Sequence, residues 1–258
     1  MDGIEFSTEE IAQIQQAYER KMKLTALQAE IAAHAPMTVP PALKSALPDF
    51  PPDPDFFLAT KIFGRYVVEG ARHLPDSTNF IPAIIWFATS PQAADLRRRL
   101  ITALTKHVED KTLFSDVVQA LLKHMAVVPG TEYGSFILAL ESGAHAREGI
   151  SASTGVAVPL KGGGPVYWIT GMERSRGLIL EAGSNLLIGL RTETPAELTG
   201  QFYGYHSSVE VEISIGSNLY FDTSKELKYQ GFTTAIGVGI GAGLGVLWGW
   251  EKAIPFPT

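Results

Sequence analysis

The sequence predicts an α+β protein: a helical N-terminal domain followed by an antiparallel all-β sandwich or barrel. Glycine gives the first reason, since Gly3, Gly64 and Gly70 alone of the 25 glycines precede residue 130. Proline is skewed the other way, with eleven of the 16 in the first half. Apolar residues supply the second reason, recurring at helical spacing early and in short alternating runs later. Pro129-Gly130 is itself a turn signal and marks the seam, giving domains 1–129 and 130–258.

The first helix is expected from Ser7 to about His34. Ser7-x-x-Glu10 forms a capping box, in which each side chain satisfies an otherwise orphaned N–H. Ile11, Ile14, Tyr18 and Met22 then line one face, and Pro36 ends the run. A proline-rich strap at 36–54 follows, extended because proline neither donates nor continues a helix. Asp53-Pro54 reads as cap plus first helical residue for a helix to about His73. Phe80 to Ala88 is an apolar helix too short to span a bilayer, broken or kinked at Pro82. Ser90-Pro91 opens a helix to about Val108, and another is expected from about Ser115 to Met125. Arg97-Arg98-Arg99 fans around its helix, so a solvated face is expected there rather than one basic stripe.

Strands are expected at 136–140, 150–158, 166–170, 178–181, 186–190, 209–215 and 219–221, punctuated by Gly, Ser, Asn or Pro. The clearest alternation sets Val209, Val211, Ile213 and Ile215 against Ser208, Glu210, Glu212 and Ser214.

Residues 231–250 carry no charge and seven glycines. A helix is excluded, because each interior glycine costs about 1 kcal/mol relative to alanine. A dinucleotide loop needs a following helix and an acidic residue that the remaining residues do not supply. A strand fits. Ile236, Val238, Ile240, Leu244, Val246, Trp248 and Trp250 share one parity; Gly237, Gly239, Gly241, Gly243 and Gly245 share the other. Alternate side chains of a strand face opposite ways, giving one bulky apolar face and one bare backbone face. A straight strand of that length would be too long for a compact domain, so a bend is expected near Gly241-Ala242-Gly243.

The chain is acidic, with 21 Lys+Arg against 27 Asp+Glu and a net charge of −6, which disfavours nucleic acid as a partner. Cysteine is absent, excluding disulfides, thiol nucleophiles and Cys-ligated metal. The six histidines show no ligand spacing, and no serine-hydrolase elbow or Walker sequence occurs, so no catalytic residue, metal or cofactor is assigned. Glu210 and Glu212, two residues apart on one strand, suggest a glycoside hydrolase only weakly, because catalytic carboxylates must flank a sugar from opposite sides. Trp168, Tyr203, Tyr205, His206 and Tyr220 are candidates for a ligand groove of stacking rings.

The expected function is therefore membrane or lipid engagement through the glycine-rich β-domain, as in a pore-forming or membrane-perturbing toxin. An uncharged β-segment with paired tryptophans suits a bilayer interface. The alternative is an interaction or small-ligand or carbohydrate-binding barrel with the ladder buried in its core. Expected partners are a membrane lipid or a small ligand, with a second copy of the chain as an option. The acidic start Met1-Asp2-Gly3-Ile4-Glu5 is unlike a signal peptide, so a cytoplasmic location or signal-independent export is expected.

Overall fold

The computed structural model describes residues 79–126, 132–211, 213–224 and 228–257. The helices expected at 7–34 and 54–73, the strap at 36–54 and the Pro129-Gly130 seam lie outside these residues.

Among the described residues three helices come first: α1 (Ile81–Thr89), α2 (Ala94–Lys106) and α3 (Lys111–Lys123). Pro82 sits in the first turn of α1, where a missing N–H is harmless, so the helix is not broken there. Ser90 accepts a hydrogen bond from the Gln92 N–H and starts a 3₁₀ turn, Pro91–Ala93, that leads into α2. The last helix begins at Lys111 rather than near Ser115. Its start is set by Asp110, whose carboxylate accepts the Leu113 N–H at 2.9 Å.

Five strands follow: β1 (Ser135–Pro159), β2 (Tyr167–Arg191), β3 (Gly200–Val211), β4 (Ile213–Phe221) and β5 (Tyr229–Pro255). The short runs expected at 136–140 and 150–158 are two parts of one 25-residue strand. Those expected at 178–181 and 186–190 likewise belong to β2. In-strand glycines such as Gly143 and Gly183 read as punctuation, but they pair with each other across the β1–β2 ladder. The alternating run at 209–215 is not one strand. It is the tip of the β3–β4 hairpin, where Val209 pairs with Ile215 and Val211 with Ile213.

These strands fold double and close into a barrel of eight antiparallel segments. A straight 25-residue strand would span roughly 80 Å at about 3.3 Å per residue. Yet the two ends of β1 meet, with the Leu160 N–H donating to the Gly134 carbonyl at 2.9 Å. Gly155 makes that meeting possible, because a Cβ there would overlap the Leu138 carbonyl oxygen. On the far side, β5 pairs with β4 up to Gly237 and with β3 from Gly241 onward, while β3 and β4 pair with each other. β5 therefore changes partner between Gly237 and Gly241, near the expected bend. Around the ring the order is β1 first half, β2 second half, β5 first half, β4, β3, β5 second half, β2 first half and β1 second half.

The barrel's outer face and the helices share one core. Phe80 packs its ring 5.8 Å from Phe136 and 5.6 Å from Phe232, while Phe114 approaches Trp168 and Phe256. Leu100 and Leu104 of α2 and Val117 and Leu121 of α3 complete this layer. Two smaller apolar clusters lie on the opposite parity, inside the ring: one around Ile137, Ile169 and Leu187, the other of Phe202, Tyr220 and Leu247.

Candidate functional site

The unusual chemistry lies inside the barrel. Along each strand the inward positions carry ionisable or polar groups among small residues. Glu141 comes from β1, Glu173 and Arg191 from β2, His206 from β3, Asn218 and Tyr220 from β4, and Thr233 and Glu251 from β5. Seven of these stand two residues from a glycine of the same parity: Gly143, Gly171, Gly189, Gly204, Gly216, Gly231 and Gly249. A glycine beside a long polar side chain on the same face leaves the volume that side chain fills.

Four hydrogen-bonded groups lie in the interior. Ser151 Oγ lies 3.0 Å from Glu141 Oε1 and 2.8 Å from Glu173 Oε1, bridging the two carboxyls. Burial, then the neighbouring Glu141 carboxyl, push Glu173 well above the usual carboxylate range. Arg191 reaches Glu251 Oε2 and Glu193 Oε1, each at 3.3 Å. Burial opposes its charge, but the two glutamates outweigh burial and hold the guanidinium firmly protonated. Glu251 is nevertheless raised, because its own burial exceeds the help from Arg191. Tyr220 donates to or accepts from Thr233 Oγ1 at 3.0 Å, and burial raises its phenol strongly. His206 joins Asn218 at 2.5 Å and Ser208 at 3.2 Å. Between these groups the cavity measures about 30 Å³, room for about two waters.

The sequence-derived candidates divide between the two faces. His206 and Tyr220 point inward, whereas Trp168, Tyr203 and Tyr205 belong to the outer layer shared with the helices. The five therefore do not line one groove. Trp168 stands 5.1 Å from His107 and 5.5 Å from Phe256 instead. Glu210 lies on β3, and residue 212 lies outside the described residues.

The ladder residues lie within β5. Ile236, Val246 and Trp248 pack into the helix-covered outer layer, and half-buried Trp250 shares their parity. Gly237, Gly243 and Gly245 have the parity of the inward Thr233 and Glu251. Val238, Gly239, Ile240, Gly241 and Leu244 lie on the same strand by backbone pairing.

Sequence reasoning picked out His206 and Tyr220 but missed the inner carboxyls and Arg191. Their signal was present: Gly171-x-Glu173, Gly189-x-Arg191 and Gly249-x-Glu251 each put a charge on the glycine face. Among the described residues, no group of three His, Asp or Glu side chains is placed to hold a metal. The chain matches no protein-family model, no curated protein and no solved structure. The class defined by geometry alone is a closed antiparallel β-barrel of eight segments, with ionisable groups inside and part of its apolar outer layer packed against helices.

Proposed function

We propose that the protein engages membranes or lipids through this barrel, with the helices covering its apolar exterior until contact. One observation carries the reading: the barrel's polarity is inverted. Ion pairs and carboxyls lie inside, beside two small apolar clusters, and Phe136, Leu138, Ile188, Phe232, Val246 and Trp248 face outward. A bilayer-facing barrel has that arrangement, apolar out and polar in, and eight strands is the smallest size common in such barrels. The segments suit it as well, since β3 has 12 residues and β4 nine, against about 9 to 11 for a spanning strand. Among the described residues no helix is long and apolar enough to cross a membrane, so the strands carry the proposal.

The finer form of the reading is a membrane-perturbing protein in the manner of a toxin. A cavity of about 30 Å³ gives no water path through a single barrel as folded. Leakage would then come from disturbed lipid or from several copies together. The small-ligand alternative draws less support, because ligand pockets measure roughly 300 to 1,000 Å³.

Vesicle flotation with dye release tests the proposal. The full chain is expected to float with phospholipid vesicles and release dye at some pH between 5 and 8. Absence of both across that range overturns it.

A further inference from the structure

We propose that the cleft between α2 and α3 binds the phosphate of an anionic phospholipid headgroup at a bilayer surface. The inference rests on the membrane reading above and names where first contact occurs. α2 carries Arg97, Arg98, Arg99 and Lys106 against Asp95, a cationic helix in a chain of net charge −6. The three arginines do different work. Arg97 hydrogen-bonds the Phe87 carbonyl and ties α2 to the end of α1. Arg98 and Arg99 stay outside, both beside Asp95, with side chains 77% and 47% exposed.

Those two guanidiniums stand on the rim of a cleft of about 350 Å³, whose walls include Thr102, Val108, Asp110 and Leu113. This volume admits a headgroup, as the barrel interior does not. Asp110 is the acidic wall residue, but its carboxylate is engaged by the Leu113 N–H. Beside the cleft, Ile101 and Val108 are exposed apolar side chains, at 42% and 45%. Leu100 and Leu104 hold the opposite side of α2 in the core. A helix anchored on one face, with arginines and exposed aliphatic groups on the other, suits the headgroup–acyl boundary. Planar guanidiniums pair with phosphate through two parallel N–H···O bonds.

Flotation of the full chain with phosphatidylcholine vesicles, with and without phosphatidic acid, tests this. A basic residue at an anionic surface contributes about five-fold in affinity, so Arg98→Gln with Arg99→Gln should weaken binding to the anionic vesicles roughly 30-fold. Binding to neutral vesicles should be unchanged. Asp95→Asn should tighten anionic binding, and the distant Lys123→Gln with Lys161→Gln should leave it alone. Three results overturn the proposal while leaving membrane engagement standing: wild-type binding by the arginine variant, equal loss in the lysine control, or glycerol phosphate binding that is abolished by the arginine substitutions and accompanied by full vesicle binding. If the wild-type chain floats with neither vesicle, the membrane reading itself fails, and this site with it.

Discussion

The guanidinium carbon of Arg191 lies 4.5 Å from the centre of the Tyr220 ring, inside a closed barrel. Its two terminal nitrogens meet Glu251 and Glu193, so one cation joins three strands and the β2–β3 connection. A charge held there is sustained only by its partners, because water is largely excluded.

Removing that cation alone is expected to be costly. Arg191→Met should destabilise the fold by about 3–5 kcal/mol, since it leaves buried carboxylates unpaired. Adding Glu251→Gln should recover part of the loss. Urea melts of the single and double variants check this, and additive losses would contradict the coupling.

The interior also sets a pH dependence. Glu173 is raised by burial and by Glu141, so its protonated form belongs to the folded barrel. A raised carboxyl contributes stability at acid pH and loses it as pH climbs through the folded value. Arg191, His206 and Glu251 face the same interior, and Glu251 shifts in the same direction. Thermal melts should therefore show falling stability from pH 5 toward pH 9. Glu173→Gln should flatten that slope without abolishing it.

Space on the inner face is a third test. A Cβ at Gly249 would come within 2.6 Å of Phe202 Cζ. Gly249→Val should cost at least about 1–3 kcal/mol through overpacking. Gly164→Ala has nothing within 4 Å and should change stability by less than about 0.5 kcal/mol. Chemical denaturation distinguishes the two.

At the helices, Asp110→Ala should cost about 1 kcal/mol by freeing the Leu113 N–H. Asp110→Asn should restore most of it, because the amide oxygen accepts the same bond. Midpoints of urea unfolding give the comparison.

Much of this architecture was legible from residue spacing. Ser90-Pro91 announced the turn into α2, and parity across Ile236–Trp250 announced a strand with one bulky side. Strand length was not legible. Gly143, Gly149, Gly177 and Gly183 look like turn residues, yet they lie within strands that fold double, where bare positions permit sharp curvature and close backbone approach. The 209–215 alternation misled for a related reason. Hairpin partners Val209 and Ile215 keep the same parity as neighbours on one strand would. The inner cluster was hidden because Glu141, Arg191 and Glu251 are far apart in sequence. Closure of the ring alone brings such charges together, and local spacing carries no record of it.

Trp248, buried in the outer apolar layer, gives the sharpest test of the inverted barrel. With Trp86, Trp168 and Trp250 changed to Phe, its fluorescence would be read in vesicles of brominated phospholipid. Saturable quenching that deepens as bromine is placed further down the acyl chain is expected. Vesicle-bound protein whose Trp248 emission is unaffected by bromine at every depth would contradict it.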